Sequence, residues 1–310
     1  MMLEAGLVGA RFIHFTCTIV LFGGALFGLY SGLPGIRSER LVRLLPPVLF
    51  AAAISSFLSG LVWFFFTVGN MSGSLADTLD LETQWSVLSD TGFGQVWAAR
   101  SVVTLAIIAV SWPSGASRVS RRLSVVLAVL AAILLASLAG VGHTQVHEGV
   151  PAIVHITSDA IHLLAAGAWL GGLLPLGMVV TSCRTKQLSF DDAVFVLSRF
   201  SGMAYLAVAA LVASGTINGC FLVGSWSALI GTSYGELLLS KLGLFGLMLC
   251  LAASNRFWLV PALVKAPARG ESDLAVMQLG RHIFAEQVFG ILVVGIVSLL
   301  GILSPAIEGL

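Results

Sequence analysis

Eight stretches of this sequence are each apolar for about the 20 residues that a helix needs to cross the hydrocarbon core of a bilayer. They run 8–32, 46–69, 93–112, 123–142, 153–180, 199–223, 236–259 and 282–304. In hydrocarbon, backbone polar groups must be satisfied internally, so spans of this kind fold as helices. The expectation is an all-α polytopic membrane protein with eight transmembrane helices. Composition excludes the soluble alternative: 57% of the 310 residues are hydrophobic and 10% are charged. A globular fold of this size could not hide that much apolar surface. The first stretch is too long, and too weakly basic at its start, for a cleaved signal peptide, and it reads as a retained span.

A net charge of +1 with 16 Lys plus Arg offers no basic face for nucleic acid. The sequence has no GxxxxGK[ST] phosphate loop, so a nucleotide is not an expected partner either. No enzymatic role is expected. Cys17, Cys183, Cys220 and Cys250 show no CxxC spacing and no disulfide framework.

Orientation follows from the placement of Lys and Arg. Arg37, Arg40 and Arg43 lie in one connection, Arg118, Arg121 and Arg122 in another, Arg184 and Lys186 in a third, and Lys265, Arg269 and Arg281 in a fourth. The alternate connections 70–92, 143–152 and 224–235 contain neither residue type. Both termini are therefore expected outside, in the periplasm of a bacterium. Trp112 and Trp258 at inner ends, and Trp85, Trp97 and Trp226 near outer ends, suit interfacial belts.

The chain reads as a duplication. His14 precedes Gly23-Gly24 with the same spacing by which His162 precedes Gly171-Gly172. Ser59-Gly60 and Gly69 match Ser214-Gly215 and Gly224; Thr91, Gly94 and Arg100 match Thr232, Gly235 and Lys241. The expected halves are 1–142 and 143–310, two parallel four-helix repeats related by an axis along the membrane normal. Convergence on helix-packing glycines is the plainer explanation, but it leaves the matched His and Arg/Lys positions unexplained.

Ionisable groups within a membrane are costly and mark candidate sites. His14, His155, Asp159, His162, Arg11, Arg100 and Lys241 all fall in the outer half of the expected spans, and His143 and His147 lie in the adjoining outer loop. His155, Asp159 and His162 stand at i, i+4 and i+7, on one helix face. His155 and His162 are ~10 Å apart along the axis, too far to share one ion, whereas Asp159 can serve either. Imidazole beside carboxylate suits a copper, zinc, iron or nickel site. The candidate metal ligands are His14, His143, His147, His155, Asp159 and His162. Arg11, Arg100 and Lys241 read as counter-charges. Solvated loop histidines at His143 and His147, polar packing at His14 and an Asp159–Arg11 ion pair are the competing explanations. Glu286 and His282, near the start of the last stretch, have no evident role.

The run Gly142-His143, then His155 through Asp159 and His162 to Trp169 and Gly171-Gly172, resembles the CopD/PcoD family of bacterial copper-resistance membrane proteins. So do Tyr234-Gly235 through Lys241, Asn255-Arg256, and Phe93-Gly94 through Trp97 and Arg100. The resemblance covers nearly the whole chain and is strongest from about 140 to 260. It implies a multi-pass protein of the bacterial inner membrane that acts in copper homeostasis and carries copper from periplasm to cytoplasm. It also implies a periplasmic copper-binding partner of the CopC type, expected to be a separate protein because this sequence has no attached domain of that kind. No methionine array is present, which leaves Cu(I) and Cu(II) both open. Two other functions fit the residues: a haem-binding electron-transfer or metal-reductase protein with His14 and His162 as axial ligands, and a copper chaperone without transport.

Overall fold

The computed structural model describes residues 2–31, 39–112, 121–141, 149–265 and 269–308. In chain order its helices are α1 (Met2–Tyr30), α2 (Glu39–Ser72), α3 (Leu81–Asp90), α4 (Gly92–Ser111), α5 (Arg121–Ala136), α6 (Gly149–Arg184), α7 (Phe190–Leu222), α8 (Trp226–Gly231), α9 (Ser233–Ser254), α10 (Val260–Lys265) and α11 (Arg269–Leu300). A 3-10 turn, Ser137–Gly140, extends α5, and a π turn, Asn255–Leu259, joins α9 to α10. The described residues contain eight helical spans long and apolar enough to cross a membrane, in the order expected. Several are longer than the apolar run alone indicates. The last apolar helical span begins at Leu274 rather than 282, which moves His282 and Glu286 well inside it.

The core falls into two large clusters and a small third one around Val223, Ala228, Tyr234, Leu300 and Ala306. One of the large clusters is built from α1, α2, α4 and α5; the other is built chiefly from α6, α7 and α11. The helices α1 and α6 meet along the centre, and α11 packs on both. Where α1 crosses α6, Gly23 faces Gly171: a Cβ on Gly171 would lie 2.9 Å from the Cα of Gly23 and collide with the carbonyl of Ile19. Their neighbours turn outward, Gly24 to Leu49 of α2 and Gly172 to Phe200 of α7. Small residues are what allow two backbones to approach this closely. Pro175, inside α6, cannot donate to the carbonyl of Gly171, which loosens the helix at the same crossing.

Outward faces are apolar. Val102, Leu105, Leu206, Val212, Leu242 and Leu247 are exposed, as lipid-facing side chains must be. Trp85 and Trp226 are exposed on the short helices at one end, and Trp112 and Trp258 at the end that carries Arg43, Arg184 and Arg281. Trp97 departs from the interfacial expectation. It stacks 4.3 Å from Phe64, and its indole donates to the Gly60 carbonyl at 3.0 Å, so it is a packing residue.

Two turns fix the starts of α4 and α9 in the same way. Thr91 accepts from the Gly94 amide and donates to the Val87 carbonyl; Thr232 accepts from the Gly235 amide and donates to the Ala228 carbonyl. A Cβ at Gly94 or Gly235 would strike the preceding short helix. This places the matched cations, Arg100 and Lys241, at the same depth. On α3, Asp80 caps the first turn by accepting from the Thr83 amide and hydroxyl, and these donors hold its carboxyl below the usual carboxylate range.

Candidate functional site

His14 is 3% exposed, and both of its ring nitrogens are engaged. Nδ1 donates to the Ser56 carbonyl at 2.9 Å, so Nε2 holds the lone pair and accepts from Arg100 Nη2 at 2.5 Å. The other nitrogen of the Arg100 fork, Nη1, donates to the Leu134 carbonyl and the Ser137 hydroxyl, where α5 gives way to the 3-10 turn. A cation at a helix C-terminus meets unpaired carbonyls and the negative end of the dipole. The Trp63 ring covers the imidazole at 5.5 Å. Arg100 thus meets an imidazole, a carbonyl and a hydroxyl rather than a carboxylate, and it turns the pocket of His14 into a closed structural unit.

The second half repeats the frame with one difference. His162 Nδ1 lies 3.0 Å from the Ser214 hydroxyl, and Ser214 spends its own proton on the Ala210 carbonyl. Ser214 must therefore accept, which puts the proton on Nδ1 and the lone pair on Nε2. His162 has a further hydrogen bond with the backbone of Leu211, and among the described residues no guanidinium fork sits on its Nε2 as Arg100 does on that of His14. Gly60 and Gly215 play matching parts, since a Cβ on either would sit 3.4 Å from Cε1 of its own half's histidine. Lys241 occupies the place of Arg100, and its charge acts on both Asp159 and His162. Lys is a compact, flexible charge without a fork, and here it leaves the imidazole open.

Asp159 accepts from the Asn218 amide at 3.2 Å, and Tyr234 lies within range of its charge. Ser158 donates to the Ser214 carbonyl at 3.1 Å and ties this turn of α6 to α7. Asp159, His162 and Lys241 are therefore brought together. His155, 1% exposed on the same helix, stacks on Phe221 at 4.6 Å with the rings 8° apart.

Arg11 does not meet Asp159 in an ion pair. Its Nη1 donates to the Gly301 carbonyl at 2.7 Å, at the end of α11, and its guanidinium covers the rings of Phe15 and Trp63. His14 and His162 each face the serines of their own half, so they do not converge as an axial pair. His143 and His147 lie outside the described residues. Among the described residues no three His, Cys, Asp or Glu side chains are grouped closely enough to share a metal ion. Cys17 is half-buried, Cys183 is buried, Cys220 and Cys250 are exposed, and all four are free thiols. Chemically, this pocket offers one oriented imidazole lone pair and one carboxylate beside an ammonium.

Sequence reading did not anticipate Ser56 and Ser214 as the groups that set the imidazole tautomers. For Ser214, a hydroxyl one helix away at the depth of a buried histidine was the available signal; Ser56 acts through its backbone carbonyl, which no residue type marks.

The family model described as copper resistance protein D matches residues 195–300, and that described as copper resistance protein D-like, N-terminal domain, matches residues 2–154. The chain is 33% identical to copper resistance protein D of Pseudomonas syringae pv. tomato, over 97% of each chain. It is 32% identical to inner membrane protein YebZ of Escherichia coli strain K12, over 96% of this chain and 98% of that protein. Similarity to copper transport protein CutJ of Bacillus subtilis strain 168, at 30% identity, covers 81% of this chain and 46% of that one. No solved structure matches the chain.

Proposed function

The chain belongs to the copper resistance protein D family, and from that premise we propose that it binds copper from the periplasmic side of the bacterial inner membrane and conducts it inward. The single observation carrying this reading is the open Nε2 of His162, held in its tautomer by Ser214 beside Asp159, where the matching His14 is closed off by Arg100. The two expected halves, 1–142 and 143–310, then have different tasks: the first is scaffold, and the second holds the ion. The two separate core clusters and the repeated Thr–Gly turns support that division.

In this reading His143 and His147 collect copper outside, and a separate periplasmic protein of the CopC type delivers it. His162 and Asp159 receive the ion, His155 lies on the route to them, and the ammonium of Lys241 swings away as the charge arrives. Arginine-rich connections face the cytoplasm and both termini face the periplasm, by the bias of positive residues. The protein makes and breaks no covalent bond in its cargo.

The test is copper stoichiometry and radioactive-copper uptake with the purified protein in liposomes, for wild type, His162→Ala and Asp159→Asn. Loss of binding and uptake in both variants is the expected result. Unchanged binding in both would overturn the assignment of this pocket. Binding without uptake in the wild type would reduce the protein to a copper-holding platform.

A further inference from the structure

Glu286 is 2% exposed near the middle of the last span, in a chain whose other buried carboxylate site, Asp159, already has a task. Its Oε1 accepts from Asn255 Nδ2 at 2.8 Å, and Asn255 Oδ1 lies 2.8 Å from His282 Nδ1. Because the amide nitrogen is spent on Glu286, the amide oxygen must accept, so His282 carries its proton on Nδ1 and keeps a lone pair on Nε2. Asn255 opens the π turn that ends α9. Such turns are rare, collect at functional sites and leave the helix ladder slack at that point.

A cavity of about 160 Å³ lies against this cluster, with Glu286, Asn255, Arg256, Ser201, Tyr205 and Trp169 in its wall. The rest of its wall is apolar, with Leu176, Phe200, Val260 and Ile283 among it, so water, at roughly 10–15 Å³ per molecule, has room only beside the polar groups. The groups facing the carboxyl from each packed element are Arg256 and Asn255 from the π turn, Ser201 and Tyr205 from α7, Trp169 from α6 and, through Asn255, His282 on its own helix. Only Arg256 among these carries a full charge, and it makes no contact with Glu286 short enough for an ion pair. A carboxylate in such a place is expensive unless a proton neutralises it.

The position extends the outer pocket inward. Trp169 follows His162 by two turns on the same face of α6, ~10 Å nearer the arginine-rich end. Glu286, which shares a cavity wall with Trp169, therefore lies nearer that end than the imidazole.

We propose that Glu286 is a proton-binding site, loaded and emptied through the cavity at the π turn, and that its protonation is coupled to the movement of the cation held at His162. In the exchange a proton leaves the carboxyl oxygen for a water in the cavity and another returns, with no other bond changed. Asn255 and His282 are positioning residues that aim the carboxyl. The coupling rests on the copper reading; the proton site itself does not.

Two measurements separate them. Infrared difference spectra of copper-free protein in liposomes, labelled with 13C-glutamate, should show a protonated-carboxyl C=O band that comes and goes with pH. The band should vanish in Glu286→Gln and shift in Asn255→Ala. A band unchanged in Glu286→Gln, or no such band in the labelled wild type, overturns the proposal without need of any variant's stability. Copper uptake is then measured with and without an imposed pH gradient. Glu286→Gln should keep the copper stoichiometry of the wild type and lose the response to the gradient. A response of wild-type size in that variant overturns the coupling, whereas absence of copper binding in the wild type overturns the copper reading and leaves the proton site standing.

Discussion

Arg100 Nη2 lies 2.5 Å from Nε2 of His14, on the lone pair that the corresponding His162 keeps open beside Lys241. One exchange of a forked cation for a flexible one makes two similar pockets chemically different. His162→Ala should therefore abolish most copper binding, whereas His14→Ala should leave it intact and lower stability. The loss at His14 strands a buried guanidinium donor, at a cost of about 1–3 kcal/mol. Elemental analysis together with thermal unfolding in detergent checks both halves of the statement.

Arg100→Lys should not be a mild change. An ammonium cannot reach His14, the Leu134 carbonyl and the Ser137 hydroxyl in the fork geometry the site uses. A charged hydrogen bond is worth roughly 1.5–3 kcal/mol, so a thermal midpoint several degrees lower is expected. Lys241→Arg should act in the other direction on function, closing Nε2 of His162 and reducing copper stoichiometry with little loss of fold.

Gly23→Val and Gly171→Val should each cost about 1–3 kcal/mol or more, because the added atoms enter the facing backbone. Gly28→Ala, with open space around it, should be neutral. Detergent-resistance or thermal-unfolding midpoints for the three variants check the ranking.

Copper binding should weaken steadily on acidification, since imidazole and carboxylate must shed protons to ligate. Titration of bound copper on the wild-type protein between about pH 8 and 5 measures this; binding undiminished at the acid end would count against imidazole and carboxylate as the ligands.

The capped start of α3 should fray only in strong acid. Thr83 lowers the carboxyl of Asp80 in the folded state, so its contribution is complete above the ordinary value of 3.8 and is lost as pH falls through the lowered one. Hydrogen exchange over 81–90 should accelerate there in the wild type and show no such step in Asp80→Asn.

The spans and their order were legible because a bilayer reads length and apolarity directly, and both are local properties of sequence. Pairing between elements was not. Arg11 was a reasonable partner for Asp159 by repeat register, yet its guanidinium is taken by the carbonyl of Gly301 at the end of α11. Nothing local marks that carbonyl as unpaired. Glu286 and His282 were left without a role near the start of a stretch taken to begin at 282; the helix in fact begins at Arg269, and the apolar span at Leu274. Asn255, which joins them, sits in a π turn for which the sequence carries no periodic signal. The matched Ser59-Gly60 and Ser214-Gly215 pairs were visible, but that each pair packs on its own half's histidine required the crossing of two helices.

At Gly23 and Gly171 the two chains of backbone are so near that neither helix can slide lengthwise past the other without driving carbonyls together. Rotation about that point is still open, and Pro175 gives α6 the slack to do it. Under the proposed transport of copper, a fulcrum at mid-depth would turn a small spread at one mouth of the bundle into a narrowing at the other, and the duplicated glycines would supply the mechanical condition for exposing the interior to one side at a time.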